Sequence, residues 1–388
     1  MQFDAKTSDY FLELLRCALH GKPVSQKPQD VSWTDLFAFA KDQSLSYMAY
    51  SAISRCGFKL GDALEQEWTT RNSRNIVTYF NQEHECERLC SAFAREGIRC
   101  MPLKGSVIRK LFPSPEMREM CDLDIWVQPE DTERVHAMML ADGYTYVEDH
   151  TTSHNREYHK MPYLNVEIHH YLVPQESEMF SYYADFWKNA ICDGDNGLIC
   201  RMAWDDAYIY MMAHAHKHFF RQGTGIRSVM DVYVMRDRLK DVLDHEHIVN
   251  ELKKLEIYDF ADRFERLADC WFGEVRTEIP QDLLAYQYRV LESGTYGDDD
   301  FMKGRALKYM QDGKSFQSAK RTLAITKLFP PYSYMKTMYP CLKYVPFLLP
   351  LFWIIRWIST LIVKPKKISG FFRKLRHLSL SDDKEERR

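Results

Sequence analysis

Residues 118–127, REMCDLDIWV, constrain this chain more than any other stretch. Two carboxylates, Asp122 and Asp124, stand two positions apart in an otherwise apolar run. On a β-strand, positions i and i+2 share a face. Leu123 and Ile125 then turn the other way, into a core. Carboxylates held side by side repel each other, so such a strand needs a counter-charge, and a divalent metal ion is the usual one.

A partner strand is predicted upstream, over residues 99–103, followed by Lys104, Gly105 and Ser106 and by one or two helical turns over 107–112. A Gly-Ser pair between a strand and a helix offers backbone N–H groups to a phosphate, and Ser106 adds a hydroxyl donor. A third carboxylate follows in residues 163–171, YLNVEIHHY. Alternation there sets Val166 and Ile168 on one face and Glu167 and His169 on the other. If this strand lies beside the Asp122–Asp124 strand, three carboxylates converge into a cluster fit for metal binding and acid–base chemistry.

This order of elements resembles the nucleotidyltransferase superfamily with a DNA polymerase β-type core: a Gly-Ser turn, Asp-x-Asp on the next strand, a third acidic residue on a later one. More narrowly, PLKGSVIRKLFPSPEMREMCDLDIWV resembles a bacterial group of uncharacterised nucleotidyltransferases that carry a Leu-Lys-Gly turn and then Arg-x-x-x-Asp-hydrophobic-Asp. Those positions are Leu103, Lys104, Gly105, Arg118, Asp122 and Asp124 here, and the close resemblance covers residues 100–171. One departure is Glu167, where Asp is commoner.

The resemblance implies an α+β fold, a small mixed sheet flanked by N- and C-terminal helical domains. It implies Mg²⁺ (or Mn²⁺) held by Asp122, Asp124 and Glu167. An NTP substrate would be bound by Lys104, Gly105, Ser106 and Arg118. The reaction would move an NMP to a hydroxyl or phosphate acceptor with release of pyrophosphate. The alternatives are a solvated acidic strand edge, a non-catalytic nucleotide-binding module, and a toxin-like transferase acting on tRNA or protein.

Apolar residues make up 45% of the 388, enough for sizeable cores and against global disorder. The ten cysteines show no paired metal-knuckle spacing. MQFDAKTSDYFLELL has neither the basic start nor the apolar stretch of a secretory signal. Unpaired cysteines and a cytoplasmic location, with membrane association through the C-terminal arm as an option, are the expectation. Charge is uneven: residues 303–380 hold 16 Lys+Arg against one acidic residue, Asp312, while residues 1–302 carry a net −17. Such an arm suits an anionic partner or docking on the acidic body.

Four regions are expected: an N-terminal helical domain (1–97), the nucleotidyltransferase core (98–200), a second helical domain (201–302) and a basic, hydrophobic helical arm (303–388). Helices are predicted over 8–19, from Ser32 as N-cap through Ala40, and over 75–96, with Ile76, Phe80, Leu89 and Phe93 on one face. In the third region Asp205 is expected to cap a helix over 207–220 containing His214, His216 and His218. His214 and His218 share a face at i, i+4 and are read as cleft or core residues, like His169, with a separate zinc site as the rival. Arg227 and Asp231 are also i, i+4, read as an ion pair or as a cleft wall in which Arg227 meets a phosphate. Residues 345–363 are almost wholly apolar, but Pro346 and Pro350 leave about thirteen residues of good helix, short of the roughly 20 needed to span a bilayer. With the basic, amphipathic residues 371–380 they suit packing on the body first, an anionic membrane surface second, and RNA last.

Overall fold

Helix α1 (Ala5–His20) starts at Asp4, whose carboxylate accepts from the Thr7 amide at 2.9 Å, and stops at Gly21 in the left-handed conformation. Ser32 caps α2 (Trp33–Asp42) as the sequence predicts. Helix α3 (Ser46–Arg55) leads to the long α4 (Asp62–Arg95), which begins well before residue 75. The structure is a computed structural model. It describes residues 4–148, 152–161, 164–192, 197–294, 301–311, 313, 315–332, 335–336, 339–363 and 375.

The buried stripe of α4 departs from the apolar spacing. Leu89 and Phe93 are buried, but Phe80 is 58% exposed. The stripe runs instead through Trp68, Asn72, Gln82, Glu85, Cys86, Leu89 and Phe93. Each of its polar members has a partner, although Asn72 Nδ2 is left without one. Ser46 Oγ donates to Asn72 Oδ1 at 3.3 Å, Gln82 Nε2 donates to the Met120 carbonyl at 3.2 Å, and Arg88 Nε donates to Glu85 at 2.8 Å.

Next comes a five-stranded mixed sheet of order β1-β2-β5-β4-β3, made of β1 (Cys100–Pro102), β2 (Leu123–Val127), β3 (Thr145–Val147), β4 (Asn155–Lys160) and β5 (Leu164–His169). Between β1 and β2 lies the single helical turn α5 (Gly105–Ile108) with a 3-10 turn at Arg109–Leu111, and between β2 and β3 lies α6 (Thr132–Ala141). β2 and β5 are parallel, and the other pairings are antiparallel. The sheet's alternation works as expected. Cys100, Leu123, Ile125, Val127, Tyr158, Val166 and Ile168 form one face and close on Cys86, Leu89, Cys90 and Phe93 of α4 and Val135 and Met139 of α6. Asp122 stands one residue before β2 rather than within it. Tyr163 lies outside the described residues.

A two-stranded ribbon, β6 (Ile191–Cys192) with β7 (Cys200–Arg201), carries a Cys192–Cys200 disulfide. The expectation that no cysteine is paired is therefore corrected: the antiparallel register sets these two opposite each other, which spacing alone does not reveal.

Helix α7 (Phe180–Tyr183) precedes this ribbon, and α8 (Trp204–Phe220), α9 (Ile226–Arg238), α10 (His245–Lys254) and α11 (Tyr258–Phe272) follow it. Asp205 lies inside the first turn of α8, and its carboxylate accepts from the Asp244 amide at 3.0 Å instead of serving as the N-cap. Gly225 gives α9 no side-chain cap, so the buried Gln43 takes over and accepts from the Ile226 amide at 2.8 Å. His20 Nε2 lies 2.7 Å from the Phe272 carbonyl, tying α1 to α11.

The chain divides into two compact units: Met1–His216 with Gly225–Leu283, and Lys217–Thr224 with Leu284–Arg388. In the second, α12 (Leu284–Ser293), α13 (Phe301–Gln311), α14 (Phe316–Leu328) and α15 (Leu349–Val363) are helical, with Met302, Ala306, Ala319 and Leu323 at a small core. Among the described residues no helix is long and apolar enough to cross a membrane. Apart from Leu375, the stretch 371–380 lies outside the described residues.

The stripe on α4 is tested by two identical substitutions. Phe93→Ala is expected to destabilise by about 3–5 kcal/mol, the cost of emptying a buried aromatic site, and Phe80→Ala to stay within about 0.5 kcal/mol of the parent. Urea unfolding midpoints check both, and equal losses would mean that the helix is rotated.

Candidate active site

The second face of the sheet carries the polar residues. β2 and β5 run parallel in a register that sets Asp124 beside Glu167 and Trp126 beside His169. Paired residues project to the same side, so both carboxylates and the imidazole meet there. His169 Nε2 lies 2.7 Å from Asp124 Oδ1 and 3.4 Å from Glu167 Oε2. Asn155, opposite His169 on β4, donates from Nδ2 to Glu167 Oε2 at 2.8 Å. One ligand atom each from Asp124, Glu167 and His169 lie within 4.8 Å of one another. Asp124 and His169 are almost fully buried.

The counter-charge that the sequence demands is present as a lysine. Lys104 Nζ donates to Asp124 Oδ1 at 2.7 Å. To bring it there the backbone at Lys104 adopts φ 47°, ψ −118°, rare for a residue with a side chain, at a cost of about 1–3 kcal/mol. The Leu103 amide donates to the Asp124 carbonyl at 3.0 Å, fixing the turn against β2. Gly105 leaves room for two neighbouring side chains: a Cβ would stand 2.4 Å from Met120 Sδ and 2.5 Å from Arg118 Nη1, so these ends would have to shift. The Ser106 and Val107 amides are already taken by the carbonyls of Leu103 and Lys104, at 3.3 and 3.1 Å. What Ser106 still offers is Oγ, buried and without a hydrogen-bond partner, and His169 Nδ1 is in the same condition.

These groups set one another's protonation. Burial opposes the charge on Asp124, but the Lys104 ammonium and the His169 hydrogen bond outweigh it and hold this carboxyl well below its ordinary range. Burial likewise opposes the charge on Lys104, and Asp124, Glu167 and Asp122 raise it nonetheless. For His169, burial and Lys104 act against protonation, and its bonds to Asp124 and Glu167 prevail, raising it. Asp122 is pushed up to about 6, first by burial and then by the charge on Asp124. From α8, Tyr210 donates to the Leu172 carbonyl at 3.1 Å, and burial pushes its phenol up to about 12.

Arg118, read from sequence as a phosphate or charge-offsetting residue, makes a bidentate pair with Asp231, Nε–Oδ1 2.7 Å and Nη2–Oδ2 2.8 Å, with both side chains buried. This corrects the expected i, i+4 pairing of Asp231 with Arg227. The Arg227 Nη1 donates instead to the Glu119 carbonyl at 2.7 Å, and its charge acts on Asp122. His214 contacts the Tyr210 ring, with centroids 6.4 Å apart, and His216 packs edge-on against Phe260. The carbonyl of His218 accepts from the Gly223 amide at 2.8 Å. Among the described residues, Asp124, Glu167 and His169 are the group of three or more with metal-ligand spacing, and neither His214 nor His218 joins it. Sequence reading missed Asn155 and Tyr210, which no motif marks. The register of β4 on β5 and the path of α8 bring them in.

A family model described as uncharacterised nucleotidyltransferase matches residues 29–273. The chain belongs to this nucleotidyltransferase family. The match spans the sheet together with helices α2 to α11, so the nucleotidyltransferase region includes both Lys104 and Asp231. No curated protein and no solved structure matches the chain.

Asp231→Leu is expected to cost this nucleotidyltransferase about 3–5 kcal/mol, because Arg118 is left buried and unpaired. Arg118→Met with Asp231→Leu should recover most of that loss. Urea midpoints of the parent, the single and the double variant check it; a single variant as stable as the parent would show that Asp231 does not carry the Arg118 charge.

Proposed function

We propose that this chain transfers a nucleoside monophosphate from an NTP to a hydroxyl or phosphate acceptor at the Asp124–Glu167–His169 cluster, releasing pyrophosphate. The supporting observation is the pairing of half-buried Glu167 with buried Asp124 on adjacent parallel strands, next to the buried His169 and neutralised in part by Lys104. Membership of the nucleotidyltransferase family supplies the reaction class.

The donor set fits a divalent ion. Two carboxylates suit Mg²⁺ or Mn²⁺, and an imidazole beside them favours Mn²⁺ more than Mg²⁺ alone would require. Asp124, Glu167 and His169 would hold the ion, with Asp122 adding a carboxylate at the entrance of β2. When bound, the ion supplies Lewis-acid polarisation of the phosphate oxygens.

The chain's own residues do the rest. Lys104 keeps Asp124 ionised and brings positive charge to the side where a triphosphate's charge develops. The unpartnered Ser106 Oγ is a donor for a phosphate oxygen. Arg118 is committed to Asp231 and acts by wedging the turn at Gly105. Asn155 orients Glu167 through its 2.8 Å bond. In the displacement the acceptor oxygen bonds to the α-phosphorus while the bond to the bridging oxygen breaks, and pyrophosphate leaves with that electron pair. A hydroxyl acceptor's proton goes to Glu167, whose side chain is 21% exposed against 4% for Asp124, and an ionised phosphate acceptor has none to lose.

Pyrophosphate release is measured with each of the four NTPs, with Mg²⁺ or Mn²⁺ and with chelator, using cell extract as acceptor source. Release is expected only with metal. Asp124→Ala and Glu167→Ala should lower it at least about 100-fold, and Asn155→Ala by about 10–100-fold, as for a residue that orients a ligand. Nucleotide binding without release from any NTP would instead identify a non-catalytic nucleotide-binding module.

A further inference from the structure

Helix α15 has two unlike faces. Phe352, Trp353, Arg356 and Trp357 form the one that packs. Trp353 Nε1 donates to the Pro330 carbonyl at 2.9 Å, Trp357 Nε1 to that of Leu328 at 2.6 Å, and Arg356 Nη1 to that of Lys327 at 3.2 Å. Phe329 at the end of α14 meets both indoles edge-on, and Tyr339 meets Phe352. The other face is bare. On it Leu351 is 49% exposed, Ile354 47% and Ile355 40%, and just before the helix Phe347, in a 3-10 turn, is 76% and Tyr344 86% exposed. On the helix, positions 351, 354 and 355 are spaced i, i+3, i+4, an apolar stripe that Phe347 in the preceding 3-10 turn adjoins in sequence.

We propose that this stripe is a docking surface for an anionic lipid membrane, into whose interface α15 inserts side-on. Length decides the geometry. Fifteen residues make a helix of about 22 Å, below the roughly 30 Å of a bilayer core. It therefore lies in the interfacial plane with its packed face held by α14. Charge selects the lipid. The segment 303–380 holds 16 Lys+Arg against one acidic residue, and Lys343, exposed, stands next to Tyr344. An exposed lysine next to an apolar stripe, in a segment this basic in sequence, is what anionic head groups over acyl chains complement. An acidic protein face would satisfy the cations but give four large apolar side chains nothing to bury against.

The full chain is sedimented with vesicles of phosphatidylcholine alone and of phosphatidylcholine with phosphatidylserine, at low and high salt. Binding is expected to the mixed vesicles, weaker to the neutral ones, and to fall as salt screens the cations. Phe347→Ser, Leu351→Ser and Ile354→Ser together should lower the partition coefficient at least about 10-fold. The three sites are exposed, so the thermal midpoint should stay that of the parent. Either of two outcomes overturns the proposal: no sedimentation with phosphatidylserine vesicles, or equal binding by the triple variant. A dimer in light scattering that the triple variant abolishes, with no vesicle binding, assigns the stripe to a second copy instead.

Discussion

Two carboxylates held side by side, one buried and one half-buried, are the constraint around which this unit is organised. At 4 Å, two like charges repel by about 4 kcal/mol at an effective dielectric constant near 20, against about 1 kcal/mol in water. Asp124 and Glu167 stand in register on β2 and β5, so the sheet cannot avoid the encounter. Lys104 and His169 both approach Asp124 Oδ1, and Asn155 approaches Glu167. The strained backbone at Lys104 is part of the same solution. A relaxed residue there would not turn the chain so that Nζ meets the carboxylate while the next residue slides beneath Arg118.

The strands and their faces were legible because alternation is a local signal. Val166 and Ile168 against Glu167 and His169, and Leu123 and Ile125 against Asp124, separate core from site without reference to anything distant. The helix cap at Ser32 was local too. What escaped depends on partners far along the chain. Phe80 belongs to the apolar spacing of α4, but the buried stripe passes through Asn72, Gln82 and Glu85, which meet Ser46, the Met120 carbonyl and Tyr144 outside α4. Asp231 sits four residues from Arg227 and pairs with an arginine 113 residues away. The Cys192–Cys200 bond follows from a two-stranded register.

The same long-range pairing ties the acidic strand to the helices around it. Gln43, between α2 and α3, accepts from the first amide of α9. α9 carries Asp231, and Asp231 fixes the guanidinium of Arg118. Arg118 and Met120 press against Gly105, next to the lysine that neutralises Asp124. Glu119 reinforces the path by accepting from the Tyr47 amide at 3.1 Å and from Arg71 at 3.2 Å, while its carbonyl holds Arg227.

It follows that the acidic sheet and the helical bundle are one physical object. A buried guanidinium without its carboxylate is a charge out of water, and the sheet alone supplies no substitute for Asp231. Helices α8 and α9 are therefore part of what holds this cluster, since they provide the anion that pairs with Arg118 beside the Lys104–Gly105 turn and the Tyr210 side chain whose phenol responds to the same charges. The family match accords with this: it begins before the acidic strands and runs on through α11. In a fold of this kind the motif marks where the charges are, and the distant helices decide whether those charges can be held.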